Sequence, residues 1–475
     1  MSSAALRAQS ASDAALSHLA FKIVHTAVAL GVVSAVIFAP ANEATLALDH
    51  FDGARILAGH GIATTLGMES LSAAGSPTAA VGWLGAVVTD ALASAGATLS
   101  TFFAALAALV TFALVERRAR RVGGAIFGLA ATGLALLCAI GSFGFAGGIV
   151  TALFAVTLAE ILDRPGTAAA VGATLLAVLW CNVAPQGIFA PAISLVLALG
   201  ARFEARSEDE QRWRWIAFAG TALALFATPG FLAFPGIALE DLRLDRGLQD
   251  IVPFNPIEVA PLAYRLGFPL AFFAAFAVGV RPRRVGDVLL LLAAGLLALA
   301  NGTYLPVFGV LVAPLLGASA AAEFPLPESK LATPRGDVLV AIAGVLAAAI
   351  LVATLVPRER PAAPGYGLAA ALALDAKPHR LMCMNVDWCD AAFANDSATR
   401  AFMDGRVGAY PQSVRDAQVA FVHLHGPWRR TLATYRIDAV LARKNRGLSM
   451  LMALTPGWKA VASDDLAVLY ERGAR

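Results

Sequence analysis

The chain has 475 residues, 58% of them hydrophobic and only 15% charged, with a mean hydropathy of +0.70. A soluble domain carries nearer a quarter charged residues, so a predominantly water-soluble protein is excluded. The net charge of +3 is small, and its positive residues sit in short loops beside apolar runs, a pattern that orients membrane helices and excludes nucleic acid as a partner.

The first apolar run, residues 21–38, follows a polar segment with Arg7 and Lys22. Its outline is that of a signal sequence, with Ala39-Pro40-Ala41 as small residues for cleavage. The segment before it is long, however, and the later spans need this helix to set their direction, so an uncleaved first span is expected. Residues 78–96 form a weaker run containing Trp83 and Asp90, and residues 99–115 a stronger one ending in Glu116-Arg117-Arg118-Ala119-Arg120-Arg121. Those arginines belong on the cytoplasmic side. If both runs crossed, they would land outside, so residues 78–96 are expected to lie in the membrane interface.

Further spans are expected at 123–140, 143–161, 167–181, 187–201, 215–228, 266–280, 288–300, 305–317 and 338–356, giving about eleven transmembrane helices. Asp163-Arg164, residues 202–214 and Arg281 to Arg284 then share a side with Arg117, as positive-inside bias requires. The reading is a mainly α, polytopic helical bundle over residues 1–356 with outer loops at 40–98 and 230–265. Its N-terminus is expected on the cytoplasmic side. A transporter or channel is disfavoured, because the spans show no paired halves and almost no ionisable residues.

Pro357, Pro361 and Pro364 open a linker over 357–378. Residues 379–475 then alternate short strand-like and helical stretches, with strands around 401–403, 439–441 and 466–470 and helices around 413–423 and 448–454. A small soluble α/β domain on the extracytoplasmic side is expected. Cys383 and Cys389 lie close together there. An oxidising compartment would join them; two free thiols are the alternative.

The first outer loop holds Glu43, Asp49, His50, Asp52, Arg55, His60 and Glu69. A carboxylate just outside the first span can take a proton from an acceptor hydroxyl while the membrane supplies a lipid-linked donor; Asp49 and Asp52 are the candidates. Capping aspartates in a solvated loop are the plain alternative. The second outer loop carries Glu240, Asp241, Arg243, Asp245, Arg246 and Asp250, a mix able to hold a phosphate or a divalent ion or simply to form a solvated helix face. Asn182, beside Trp180, can bond substrate or cap a helix end. In the tail, Asp404-Gly405-Arg406 and Tyr410-Pro411 read as turn chemistry.

These features resemble the GT-C superfamily of polyprenyl-phosphate-dependent glycosyltransferases: an N-terminal helix, an acidic outer loop, an interfacial helix, a bundle and a soluble C-terminal domain. The likeness is closer to a bacterial branch whose tail carries a Phe/Ile-Asp-Gly-Arg-x-x-x-Tyr-Pro motif, matched here by Phe402 to Arg406 and Tyr410-Pro411. Trp428, Tyr435 to Asp438 and Pro456-Gly457-Trp458, followed by Asp464-Asp465, fit that tail in order, and Gly61 to Thr65, Trp83-Leu84, Arg164-Pro165 and Trp180-Cys181-Asn182 are further matches. The resemblance implies a bacterial inner (cytoplasmic) membrane as the setting and transfer of a sugar from a polyprenyl-phosphate donor to an extracytoplasmic glycan or lipid acceptor. Asp49 or Asp52 would be the base, and Arg55, Asn182, Arg243 and Arg246 would bind substrate; no metal ligands are assigned, although a divalent metal is compatible. The chain departs from the branch at Leu66, Gly82 and Ala184, where an acid, a glutamate and a histidine are expected, and around Asn301-Gly302, where an arginine is. Those losses suit the alternative of a divergent, non-catalytic envelope protein that binds a partner or glycan through its tail.

Overall fold

The computed structural model describes residues 25–33, 36, 43–139, 146–242, 285–300, 304–323, 379–396, 398–464 and 467–473. The expected spans at 266–280 and 338–356, Arg243, Arg246 and the linker lie outside the described residues.

Residues 25–33 are helical, and the first outer segment opens with helix α1, Glu43–Arg55. Helix α2, Trp83–Ser94, is one of the shorter apolar helices. Next comes α3, Ala97–Ala139, continuous except at Gly124 (φ 76°). There the chain doubles back, bringing the backbone of Gly128 against that of Arg120. The arginines stay helical up to this reversal, where Arg118 pairs with Asp163 at 3.0 Å and Arg121 with Glu160 at 2.6 Å.

Helices α4 (Ala146–Leu162), α5 (Thr167–Val183), α6 (Phe189–Phe203), α7 (Glu208–Ala224), α8 (Ala233–Leu242), α9 (Val285–Ala300) and α10 (Leu305–Glu323) complete the described bundle. Among the described residues three stretches are long and apolar enough to cross a membrane, Thr98–Val122, Pro185–Phe203 and Leu305–Ala322. Two expectations shift. The run placed at 215–228 belongs to a helix that starts at Glu208, because Ser207 accepts a hydrogen bond from the Glu210 N–H and three acidic residues fill the first turn. The run placed at 305–317 continues to Glu323 through Pro314, which a helix packed among neighbours tolerates. Much of the bundle core is alanine, and small residues let backbones approach closely. Gly309 packs against Cys138, and Gly200 against Gly286.

The tail is a five-stranded mixed sheet in the order β2-β1-β3-β5-β4, with β1 Arg380–Cys383, β2 Arg400–Ala401, β3 Ala439–Arg443, β4 Trp458–Ser463 and β5 Ala467–Arg472. Strands β2, β1 and β3 are parallel, and β5 and β4 are added antiparallel. The central strands are buried almost throughout, because helices cover both faces. One face packs on α11, Val386–Asn395, and on α1 of the first outer segment. The other packs on α12 (Gln412–Val422), α13 (Trp428–Thr434) and α14 (Gly447–Leu454). Cys383 and Cys389 form a disulfide between β1 and α11.

The edge of β2 is not left open. Ala401 donates its N–H to the Glu69 carbonyl, Leu71 donates to the Ala401 carbonyl, and the Ser72 hydroxyl bonds the Phe402 carbonyl. The first outer segment thus extends the tail's sheet and fixes the tail over the end of the bundle.

Candidate active site

Helix α1 is a wedge with three occupied faces, as its 3.6-residue period allows. His50 and Gly53 face α2: His50 Nδ1 lies 3.2 Å from Asp90 Oδ1, and a methyl group on Gly53 would run into the Ala86 carbonyl. Ala47, Leu48 and Phe51 face the tail, where Phe51 meets Phe393 edge-on with ring centroids 5.1 Å apart. The remaining face carries Asp49 and Asp52, one helical turn apart, into a cleft of about 160 Å³. Its walls include Arg55 from α1, Trp83 from α2, Pro185 and Ile237 from the bundle, and Gly405 and Arg406 from the tail.

Helix α5 begins four residues after Asp163 and ends just before Pro185, so the cleft and the cluster of Arg118 and Asp163 lie at opposite ends of the bundle. Expected positions of opposite sidedness are therefore kept apart.

Arg406 enters the cleft on a turn that is fixed atom by atom. The Gly405 N–H donates to both oxygens of Asp390 at 3.0 and 3.2 Å, the Arg406 N–H to Asp404 Oδ1 at 2.9 Å, and the Asp404 N–H to the Tyr410 hydroxyl at 3.2 Å. A side chain at Gly405 would collide with the Asp390 carboxylate. The guanidinium then donates to Asp404 Oδ2 at 2.6 Å and to Glu69 Oε1 at 2.9 Å, and its Nη1 lies 3.7 Å from Asp52 Oδ1. Residues expected to make a turn thus deliver a cation to carboxylates of the first outer segment.

The two aspartates differ in their surroundings. Burial, and then the nearby charge of Asp52, push the Asp49 carboxyl up to about 7. Burial raises Asp52 as well, against the pull of Arg406 and Arg55 in the other direction. Burial alone would lower Arg406, but Asp404 and Asp52 hold it well above the usual guanidinium range. Tyr410 is raised by burial and by Asp404, so it remains a neutral phenol beside the turn.

Of the residues expected to bind substrate, Arg55 lines the cleft. Asn182 does not; its amide cross-links the scaffold, donating to the carbonyls of Val178 (2.8 Å) and Ala227 (2.9 Å) and accepting from Trp83 Nε1 at 2.6 Å. Arg243 and Arg246 lie outside the described residues. Leu66 is buried in the tail-facing core, Gly82 adopts a left-handed conformation (φ 74°) at the start of α2, and Ala184 is buried against the bundle. Among the described residues no three His, Cys, Asp or Glu side chains converge as a metal set, and Arg406 and Arg55 already face Asp52. These donors do not fit a divalent ion.

Arg406 is the cleft residue that sequence reasoning passed over. Its motif was legible, but the link to Glu69, 337 positions away, was not.

No protein-family model matches the chain, and no curated protein matches it in sequence. Among solved structures, the Archaeoglobus fulgidus oligosaccharyltransferase, crystallised in complex with zinc and sulfate, superimposes with a TM-score of 0.53 and 13% identity. The match covers 88% of this chain and 67% of that one. At this identity the likeness is one of architecture, and the chain has an oligosaccharyltransferase-like fold.

Proposed function

We propose that the chain is a GT-C-type glycosyltransferase of about eleven transmembrane helices that moves a sugar from a polyprenyl-phosphate donor to an extracytoplasmic acceptor. The observation that carries this reading is a carboxyl group raised to about 7 in a cleft walled jointly by the bundle, the first outer segment and the tail. A general base is most effective with its pKa near the working pH. Asp49 takes the proton of the acceptor hydroxyl as that oxygen attacks the anomeric carbon, and the polyprenyl phosphate leaves with the bond electrons. Arg55 offsets the leaving phosphate, and Arg406 opposes the upward push that burial gives Asp52 at the cleft wall. The fold likeness supports a lipid-linked donor, and the Cys383–Cys389 disulfide suits an oxidising, extracytoplasmic tail.

Incorporation of radiolabelled sugar from polyprenyl-phosphate donors into envelope fractions tests the proposal. Asp49→Asn is expected to abolish transfer with expression and folding intact; full transfer by that variant sinks the assignment. A second reading, a non-catalytic envelope protein that binds through its tail, is favoured by Leu66 and Ala184, whose apolar side chains are buried where the resembling branch carries polar groups. Absence of transfer from every donor tried would favour it.

A further inference from the structure

A second depression adjoins the candidate active site. It is a groove of about 670 Å³ lined by Phe51 and Arg55 of α1, Met68 and Glu69 of the first outer segment, and Arg380 and Arg400 of the tail. Bundle helices contribute nothing to its described lining, whereas the Asp49 cleft includes Trp83, Pro185 and Ile237. The cleft therefore meets the end of the bundle, whereas the groove's described lining comes from the first outer segment and the tail. Arg55 lines both, and the Glu69–Arg406 pair separates them, with Glu69 on the groove side and Arg406 on the cleft side.

The groove's charge is unbalanced towards cations. Arg55 lies over the Phe51 ring, 5.5 Å from its centroid; among the described residues no hydrogen bond or ion pair engages its guanidinium, nor that of exposed Arg400. Arg380 uses Nε on the Tyr435 carbonyl at 2.9 Å. Of the two carboxylates in the lining, Glu69 is held by Arg406. Asp438 accepts the Arg380 backbone N–H at 2.7 Å and faces His379 at 3.8 Å. Guanidinium groups that no described side chain hydrogen-bonds match carboxylate and phosphate geometry. Phe51, together with Met68 at 65% exposure, offers apolar contact for the faces of sugar rings.

We propose that this groove receives the acceptor, and that the acceptor is an anionic glycan bearing carboxylate or phosphate groups, with Arg400 and Arg55 as its docking cations. This rests on the glycosyltransferase reading of the adjoining cleft. The membrane-tethered donor approaches Asp49 from the bundle side, and the acceptor chain lies along the groove with its attacking hydroxyl passing Arg55.

The test is binding to the full-length protein in nanodiscs with no donor present. The probes are an oligogalacturonate, a phosphorylated oligomannoside and a neutral maltooligosaccharide of equal length, each titrated by calorimetry. At least one anionic probe is expected to bind, more weakly as salt rises, while the neutral one does not. Arg400→Glu should lower the affinity at least about tenfold, the scale of one charge-assisted contact, and Arg400→Lys should retain most of it. Equal binding of the neutral probe, no binding of either anionic probe, or an affinity unchanged by Arg400→Glu would each overturn the inference. Intact transfer without anionic binding would fail the inference alone; anionic binding without transfer from any donor would fail the enzyme reading alone.

Discussion

Asp49 and Asp52 share a helix face, but only Asp52 has cations beside it. Arg406 lies 3.7 Å from Asp52 and Arg55 also lowers it, whereas no described side chain donates to Asp49. A difference in role follows: in Asp52 the cations oppose the upward push of burial, and Asp49 is the group that changes protonation near neutrality. Because its carboxyl is raised from 3.8 to about 7, transfer is expected to rise about tenfold per pH unit below 7 and to level off above it. The same shift sets the sign of the stability change. Between about pH 4 and 7 the folded chain holds a proton that the unfolded chain has lost, so this group's contribution falls as pH rises through that window and is flat beyond it. Asp49→Asn removes that slope. Thermal unfolding in detergent at pH 5 and pH 8 should show the variant gaining on the wild type at the higher pH; an identical pH dependence in both would refute the burial argument.

At the scale of elements, the position of α1 depends on how near it comes to α2. Gly53 lies so close to the Ala86 carbonyl and to the Asp90 side chain that any β-carbon forces the helices apart. Overpacking of this kind costs about 1–3 kcal/mol, so Gly53→Ala is expected to lower thermal stability by that amount. It should also reduce transfer, because the face bearing Asp49 shifts with the helix; unaltered melting and transfer would show that the helices have slack. The apolar bundle helices were legible from hydropathy, and the acids after the first span from their position. Strand β3 was legible too, since a strand buried on both faces reads as a continuous apolar run. Edge strand β4 was not, because its residues are mostly exposed and show no clean two-residue alternation. Nor was the start of α7: the Ser207 cap and the acids after it lie in a polar stretch that hydropathy assigns to a loop. The Asp404-Gly405-Arg406 turn looked ordinary because its meaning lies in contacts with Asp390, Tyr410 and Glu69, none of which local pattern can supply.

Across the whole molecule, the cleft exists only where three separate parts of the chain meet, so whatever holds the tail in place also assembles the site. Residues 69–72 extend the sheet at β2, Arg415 of α12 reaches Glu240 of α8 at 3.3 Å, and Arg406 joins buried Asp404 to Glu69. The last of these is the most costly to lose, since removing the cation leaves two carboxylates, 0% and 10% exposed, with only backbone N–H donors of Arg406 and Gly67 against their charge. Breaking a buried pair in this way costs about 3–5 kcal/mol. Arg406→Ala is therefore expected to loosen the seam between tail and bundle more than the tail itself, whose sheet core is apolar. Hydrogen exchange can separate the two: the amides of Leu71 and Ala401, which bridge the seam, should exchange more than tenfold faster, an opening cheaper by about 1.4 kcal/mol or more. The β3 amides of Val440 and Leu441 should keep their protection. Arg406→Lys, which restores a charge without the forked geometry, should fall between. If Leu71 and Ala401 exchange at the wild-type rate in Arg406→Ala, the strand pairing alone holds the tail, and the guanidinium serves the electrostatics of Asp52 without being the clasp that closes the cleft.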